Sequence, residues 1–494
     1  MNIRKYLTIF SLFVLIFQGG YQSHAQDADV EVISTSQEGQ SARHNNMQPY
    51  IVLQYAIATS AVFSADGSTT NHLLGEVAAW PYPGGNSDLA EGAVPGGWTP
   101  ADGRLLPIAN NTELFEILGT TYGGDGQANF ALPDLRGRTP VGIGSGPGLT
   151  AISLGEVIGS ETVRLSEQHL AAHSHDTSTD PTPDAGGSET HPNRMPGLGL
   201  RCLIATSGGF PPQSIVVAAS STSKGGIPSS LPFIAEMRWY AGNVDESSLA
   251  TWEDCDGELL SIPSNTALFS LLGTNYGGNA TTNFAVPDMR GRVMVHHGTG
   301  PGLTEVDLGE KIGIETVTLT TNQIPAHSHT VLNASPPELT TTVGGDLLHS
   351  NRQPLLGISH LLSLSDGIVP STAIGDIPMI GRILYFGGSF EPRGYQFLNG
   401  QQNTILDFPN LHSLIGDTYG GTITTFSAPD ARGRVLLGNG TGNQLSARTV
   451  GEKDGSETHT LSLEEMPRHR HGPDIETFCW ATTTVTGTAV TTCL

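Results

Sequence analysis

The chain has 494 residues, of which 62 are glycine, and a formal net charge of −24 at pH 7. This length is enough for about three domains, and the glycine content predicts many turns and irregular loops rather than long helices. The glycines follow no G-X-Y period, which excludes a collagen-like chain. No basic stripe interrupts the acidic composition, so we expect no nucleic-acid partner.

Residues 1–25 have the pattern of a secretory signal peptide. Arg4 and Lys5 precede a short apolar run from Leu7 to Phe17, and Ser23-His24-Ala25 fits a cleavage site. The run is too short to cross a bilayer, and no later stretch is long and apolar enough to do so. We therefore expect a secreted protein, extracellular or at the cell surface, with residues 26–44 as a flexible lead-in.

One phrase, F-x-x-P-D-x-R-G-R, occurs three times, at 130–138, 284–292 and 426–434. Each copy follows a Tyr-Gly-Gly and precedes a Gly-rich loop, a Gly-x-Glu-Thr and a His-x-His. Because the spacing is domain-sized, the repeat predicts three tandem units and not a solenoid. We place a strand motif plus one unit in each of 45–192, 193–350 and 351–471, and a Thr-rich tail in 472–494.

Each unit has the same predicted order of elements. An apolar, β-branched segment after an Asn-x-x-Pro predicts a buried strand, at 46–60, 193–210 and 351–364. A second strand, an Asp-Gly or Asn-Gly turn and a short helix follow. In the first unit Thr112 is the predicted helix N-cap and Gly119 the stop; the equivalent helices are 266–273 and 410–416.

The recurring acidic residues favour a structural role over catalysis. The Pro-Asp-x-Arg spacing predicts a local salt link or an Asx-turn. No nucleophile with a base and no facing pair of carboxylates recurs in the three units. The glycine runs lack the frame of a phosphate loop, and no EF-hand spacing is present. We therefore expect no enzymatic activity.

The four cysteines all follow the predicted signal peptide. An even number in an exported chain predicts disulfides, and four cysteines allow three pairings. We favour Cys479 with Cys493, which would close a small Thr-rich loop, and then Cys202 with Cys255. Four buried free thiols remain the alternative.

Taken together, the Tyr-Gly-Gly, the F-x-x-P-D-x-R-G-R, the Gly-x-Glu-Thr and the closing His-x-His resemble the phage tail collar domain. This domain occurs in short tail fibre tips and in the bacterial microcystin-dependent protein group, and Asn46-Met47-Gln48-Pro49-Tyr50 resembles a segment of that group. The resemblance covers nearly all of residues 45–471. It implies a non-enzymatic structural or receptor-binding protein at the tip of an extracellular fibre, usually a homotrimer.

Two departures from the family shape the predicted architecture. The chain carries three units where the family commonly has one, and its first Asn-x-x-Pro copy precedes every unit. We predict a mainly β fold with irregular loops and few short helices, in which three collar-like units form a pseudo-trimer within one monomer. The segment 46–60 is predicted to close the ring on the third unit. The alternative is packing on its chain neighbour, the first unit.

The expected partner is a protein or glycan at a cell surface, or a larger adhesin or fibre. Three variable stretches, 176–192, 330–350 and 472–494, are the predicted contact loops. A secreted carbohydrate-binding protein or carbohydrate-active enzyme is the alternative class.

The closing histidine pairs are candidate metal ligands. They lie at equivalent ends of the three units, as His173 with His175, His327 with His329, and His469 with Arg470 and His471. Residues i and i+2 of an extended strand point to one side, so each pair is a two-nitrogen claw. Three converging claws would offer six imidazole nitrogens, which suit iron or zinc, and the resemblance implies such a shared metal. We predict one structural transition metal, with binding that weakens below about pH 6. Hydrogen-bonded histidines of a turn are the alternative.

Overall fold

The computed structural model describes residues 33–59, 73–81, 94, 97–211, 232–242, 251–332, 334–364 and 380–472, and the backbone of 479–483 and 489–493. The fold is mainly β with three short α-helices, as predicted. Among the described residues no helix has the length and hydropathy needed to cross a membrane. The predicted signal peptide, and 26–32 of the predicted lead-in, lie outside the described residues.

The first unit and the segment before it contain nine strands and one helix. They are β1 Arg43–Asn45, β2 Tyr50–Ala58, β3 Glu76–Trp80, β4 Trp98–Pro100, β5 Leu105–Pro107, α1 Thr112–Leu118, β6 Asn129–Ala131, β7 Thr139–Gly142, β8 Val157–Ile158 and β9 Thr162–Arg164.

The second unit repeats this order and adds one hairpin. Its elements are β10 His191–Pro192, β11 Gly197–Ala205, β12 Glu236–Tyr240, β13 Trp252–Asp254, β14 Leu259–Ser261, α2 Thr266–Leu272, β15 Asn283–Ala285, β16 Val293–His296, β17 Lys311–Ile312, β18 Thr316–Val317, β19 Thr330–Val331 and β20 Glu338–Leu339.

The third unit and the tail contain the remaining elements. They are β21 His349–Ser350, β22 Leu355–Ser363, β23 Ile383–Phe386, β24 Tyr395–Phe397, β25 Gln402–Thr404, α3 Pro409–Ile415, β26 Thr425–Ser427, β27 Val435–Gly438, β28 Gly440–Thr441, β29 Ala447–Arg448, β30 Lys453–Asp454, β31 Thr458–His459, β32 Cys479–Thr483 and β33 Ala489–Cys493.

Three bridging strands, β2, β11 and β22, join the units, and every one of their nine residues is buried. The first half of β11 runs parallel to β7 of the first unit, and its second half pairs with β12 of the second. Strand β22 connects β16 to β23 in the same way. Strand β2 starts on β27 of the third unit and ends on β3 of the first. The N-terminal strand therefore contacts the third unit, as predicted, and its second half pairs with its chain neighbour, the first unit.

The segment 33–45 corrects the prediction of a flexible lead-in. Thr35 and His44 are fully buried, and β1 pairs with β9 of the first unit. Glu38 forms an antiparallel bridge with His469, as Ala185 does with His173 and Val343 with His327. The third unit has no strand motif after it in the chain, so this segment supplies the loop that the other two units obtain from their own following residues.

The predicted helices form with one change at the N-cap. Helix α1 starts at Thr112, and Asn111 occupies the N-cap position, because its carbonyl accepts the first helical hydrogen bond, from Phe115. Thr112 is therefore inside the helix and not its cap. Gly119 ends α1 with a φ of 54°, a conformation in which a side chain is strained.

The core is shared by all three units. The largest apolar cluster contains Trp80, Trp239 and Phe386, one from each unit. A second cluster contains Val52, Val295 and Val435. A third contains Leu165, Leu319 and Leu461, one from each unit. Since burial of these side chains depends on all three units, they do not pack as separate domains.

The structure joins Cys202 of β11 to Cys255 in a disulfide, one of the two predicted pairings. Strands β32 and β33 pair antiparallel with Cys479 directly opposite Cys493. The side chains of those two cysteines lie outside the described residues.

Candidate metal centre

The six histidines of the three claws lie together in the interior. Each is at most 6% exposed, and each claw follows a short stretch that turns inward after the Gly-x-Glu-Thr. The Nε2 atoms of His173 and His327 are 3.2 Å apart, and those of His327 and His469 are 3.1 Å apart. Ring centroids of His175, His329 and His471 lie 4.8 to 4.9 Å from one another. The structure thus brings all six predicted ligands to one place.

Every one of the six rings has the same hydrogen-bonding partner at Nδ1, a backbone carbonyl oxygen. The distances range from 2.6 to 3.1 Å; the acceptors are Ala171, Thr341, Pro325, Ser36, Pro467 and Pro183. A carbonyl oxygen only accepts, so Nδ1 carries the proton and the neutral ring keeps a bare lone pair on Nε2. A carbonyl at the second ring nitrogen is also the usual support of a metal-bound histidine.

The bare Nε2 atoms face one another without a donor between them. Those of His175, His329 and His471 are buried and have no hydrogen-bond partner in the described part of the chain. Lone pairs 3.1 to 3.2 Å apart repel, whereas nitrogens bound at about 2.1 Å in an octahedron are about 3 Å apart. The six histidines fall into two overlapping groups of four, each with its ligand nitrogens within 4.8 Å of one another, and this donor set fits a transition-metal cation.

Burial keeps the claws neutral. It lowers the pKa of His327, His329 and His471 to about 4 and that of His469 to about 3, against an ordinary value of 6.5. The same cause lowers the pKa of His173 and His175. Protons therefore compete less for these nitrogens than for those of a free imidazole at the same pH.

Each claw is supported by a different part of the chain. The Nδ1 atom of His175 donates to a loop of the second unit, at Thr341. That of His471 donates to a loop of the first unit, at Pro183, and that of His329 to Ser36 of the N-terminal segment. Arg470, between the histidines of the third claw, is half-buried and leaves both rings in place.

The acidic residues that recur in the three units bind arginines. In the first unit, Asp134 accepts from Arg136 at 2.9 Å and also from its backbone N–H, as the Pro-Asp-x-Arg spacing predicts. Equivalent pairs join Asp288 to Arg290 and Asp430 to Arg432. Burial alone would raise the pKa of Asp134, but the hydrogen bonds and charge of its arginine hold that pKa below the usual value.

The glutamates of the Gly-x-Glu-Thr phrases link neighbouring units. Glu161 of the first unit binds Arg448 of the third at 2.6 Å, whereas Glu315 binds Arg194 within 193–350 and Glu457 binds Arg352 within 351–471. Each also accepts a backbone N–H from the Gly-rich loop of another unit, at Ser446, Thr150 and Thr304. These backbone contacts join the third unit to the first, the first to the second and the second to the third.

A second histidine group was not predicted from the sequence. His44, His191 and His349 lie within reach of a common ion, each at most 1% exposed. Only their shared position marks these histidines in the sequence: each stands two residues before the asparagine of an Asn-x-x-Pro. The residue between the histidine and the asparagine differs from copy to copy, so the three histidines belong to no contiguous motif.

Two of the variable stretches meet beside the claws. Residues 177–183 and 334–338 line one cleft together with Ile33. The hydroxyl of Ser178 donates to Glu338 at 2.8 Å, which ties the two loops together. The third stretch, 472–494, is described only as the hairpin of β32 and β33.

The family model of the Phage Tail Collar Domain matches residues 75–140, 235–294 and 381–436. The chain therefore carries three tandem copies of the phage tail collar domain. No curated protein and no solved structure matches the chain significantly.

Proposed function

We propose that the protein is a secreted, non-enzymatic attachment protein that acts at a cell surface or at the tip of an extracellular fibre or adhesin. The observation that carries the proposal is the presence of three collar domains, a domain of tail structural proteins, in one interlocked chain. The partner is a protein or a glycan bound by the variable loops, since such loops on a rigid scaffold are common binding sites.

The three units take the place of the three chains of a collar trimer. Support comes from the bridging strands, which connect the third unit to the first, the first to the second and the second to the third. The backbone N–H groups of Ser446, Thr150 and Thr304, each of which donates to the glutamate of the next unit, support the same arrangement. Light scattering should give the mass of a single 51.9 kDa chain or less after signal cleavage. A stable trimer of full-length chains would contradict the arrangement.

The six claw nitrogens hold one structural iron or zinc ion. The convergence of bare Nε2 atoms supports this site, and six nitrogens suit octahedral iron better than zinc, which usually takes four ligands. The ion would fasten the ends of the three units to one another and so keep the adjacent loops in place.

The metal prediction is tested by elemental analysis of purified protein. The double substitution His327→Asn with His329→Asn should remove about one metal equivalent per chain, because asparagine keeps a donor for each backbone carbonyl but supplies no imidazole nitrogen. The control is His412→Asn, a partly exposed histidine of α3. Metal content that is equal in all three proteins would refute the site.

Attachment is tested with labelled protein on intact cells and on a glycan array. Replacing 177–181 by a Gly/Ser sequence of equal length should abolish binding, while the same exchange at 422–424, an exposed turn with Ile423 98% exposed, should leave it intact. Binding that survives the first exchange would contradict a role for these loops. Release of reducing sugar from bound glycans would favour the enzymatic alternative.

A further inference from the structure

The second histidine group has the features of a metal site of its own. Its members, called the triad here, are His44 in β1, His191 in β10 and His349 in β21. One nitrogen from each ring lies within 4.8 Å of the others. The ring centroids are 5.3 to 5.5 Å apart, with ring planes inclined by 82° to 88°. Three rings at nearly right angles to one another form a tripod.

The protonation pattern of the triad matches that of the claws. Each Nδ1 lies 3.1 to 3.2 Å from the backbone carbonyl oxygen of the next residue, Asn45, Pro192 or Ser350. That oxygen only accepts, so Nδ1 carries the proton and Nε2 a lone pair. All three Nε2 atoms are buried and have no hydrogen-bond partner among the described residues. Three buried lone pairs without a donor attract a cation and repel an anion.

Unpartnered oxygens two residues after each triad histidine in the sequence provide a second observation. Two residues after each histidine stands a buried asparagine, Asn46, Asn193 or Asn351. Each Nδ2 donates to two carbonyls, which in the case of Asn46 belong to Ser160 and Arg194. Each Oδ1 has no donor within the described ranges. Such an excess of buried acceptors requires an explanation, and a bound cation supplies one.

We propose that His44, His191 and His349 bind a second divalent transition-metal ion, distinct from the ion of the claws. Three imidazoles form a common protein site for first-row metals and leave further positions for water or amide oxygen. A zinc ion with bonds of about 2.1 Å would separate three tetrahedral nitrogens by about 3.4 Å, a separation within the 4.8 Å limit that holds for the triad nitrogens.

The position of the triad gives this ion a structural role. His44 lies opposite Val163 of the first unit, His191 opposite Val317 of the second, and His349 opposite His459 of the third. Because each histidine leads into one bridging strand, an ion bound by all three would fix the starts of β2, β11 and β22 relative to one another. The apolar cluster with Leu165, Leu319 and Leu461 borders the same strands.

His459 is close to the triad without being part of it. Its ring stacks on His44 at 5.2 Å with a tilt of 23°, and its Nε2 is 3.1 Å from the carboxylate of Glu465. The equivalent positions of the other units hold valine. The chain itself thus supplies a matched control, His459→Val, which removes a neighbouring histidine but no proposed ligand.

The experiment is elemental analysis of full-length protein after dialysis against Zn²⁺ and removal of the excess. It is made in the background of His327→Asn with His329→Asn, so that the claw site does not contribute. This protein should keep about one equivalent of zinc, and adding His191→Asn or His349→Asn should lower it to near zero. Adding His459→Val should leave it unchanged. Circular dichroism establishes that each variant remains folded.

Failure of this inference is separable from failure of the claw site. Zinc near zero already in the claw variant, with wild-type protein retaining one equivalent, would overturn the triad site alone. Equal loss in His459→Val would overturn the three-ligand assignment. If a triad variant does not fold, wild-type protein titrated with Co²⁺ should show two binding steps, and a single step that disappears in the claw variant would overturn the proposal.

Discussion

At the scale of single residues, one hydrogen bond decides what each buried histidine can do. A carbonyl at Nδ1 fixes the tautomer and leaves Nε2 as a ligand, in the claws and in the triad alike. The same chain contains buried histidines without such convergence. His360 donates from Nδ1 to Ile358 at 3.0 Å, and its backbone N–H donates to Nδ1 of His296. These residues belong to the apolar interior and not to a metal site.

His360 should contribute to acid sensitivity. Burial lowers its pKa to about 3, below the value of about 6.5 in the unfolded chain. The folded state therefore binds this proton less readily, so the stability it contributes is complete above about pH 6.5 and is lost as the pH falls toward about 3. The equivalent position of β2 holds a tyrosine, Tyr55. Replacing His360 by tyrosine should make the unfolding free energy fall less steeply as the pH decreases below about 6.5, by about 1.4 kcal/mol per pH unit.

Urea unfolding at pH 7, 6, 5 and 4 measures this slope for the wild type and for His360→Tyr. A second substitution, His360→Leu, separates the loss of the titrating group from the fit of the new side chain, because both variants should show the same reduced slope. A wild-type slope in both variants would contradict the assignment.

The residues also show how far sequence reasoning reaches. The link of Asp134 to Arg136 was predictable because two residues of separation decide it. The claws were predictable as pairs, since i and i+2 share a side of a strand, and their convergence was predicted from the threefold repeat and the family resemblance. The triad was missed because each member is a single histidine whose partners lie more than 140 residues away, and no local pattern marks a residue that acts only with distant copies.

At the scale of elements, the three units are not interchangeable where their strands meet. Glu76 of β3, Glu236 of β12 and Arg382 just before β23 occupy equivalent positions and are buried. Arg238 lies 2.8 Å from both glutamates, and Arg382 binds Glu76. Identical chains would place three like charges here. A single chain can instead combine two acids with two bases, so this network is specific to the tandem arrangement.

Breaking the network should destabilise the protein strongly. The substitution Arg382→Met leaves a buried carboxylate with one partner fewer, which costs on the order of 3–5 kcal/mol of unfolding free energy. The control, Arg104→Met, removes an exposed partner of Asp102 and should cost no more than about 1 kcal/mol. Both are measured by urea unfolding at pH 7, and equal losses would contradict a specific role for the buried charges.

Helices and bridging strands were predicted more reliably than the N-terminal segment. The apolar run of β2 and the Gly119 stop are local signals. The segment 33–45 is polar, and its folded conformation depends on contacts with the third unit. Local sequence patterns do not include such distant contacts. This segment has the same backbone conformation as the loops after the first two units at one position, because Gly39, Gly186 and Gly344 all have positive φ.

At the scale of the whole molecule, the N-terminal segment contacts the third unit, although the two lie at opposite ends of the described sequence. The backbone N–H of Thr35 donates to the carbonyl oxygen of His471 at 3.0 Å, and the hydroxyl of Thr35 accepts from the backbone N–H of His471. In the first unit, Thr182 makes the same contacts with His175. In the first unit six residues lie between His175 and Thr182 (182 − 175 − 1 = 6). A covalent connection between His471 and Thr35 would therefore need only a short loop.

This proximity predicts that the chain tolerates a circular permutation. A permuted chain would begin at residue 73, continue to Gly472 and join residues 33–59 there through three inserted residues. With Gly472, Ile33 and Ser34 these insertions give a six-residue connection between His471 and Thr35, the length found in the first unit. Because loop-closure entropy varies slowly with length, the permuted chain should melt within about 5 °C of an unpermuted 33–472 chain, with equal metal content and monomeric mass.

The matched control lacks 33–59 altogether. It loses strand β2, which pairs with both the third and the first unit, and Ser36, which accepts the hydrogen bond from His329. It should therefore fail to fold cooperatively and retain no claw metal. Calorimetry, light scattering and elemental analysis of the three chains decide the matter. If the permuted chain is as unstable as the chain that lacks 33–59, β2 must be covalently joined to the first unit. Its pairing with the third unit would then be a consequence of that connection and would not hold the two ends of the molecule together.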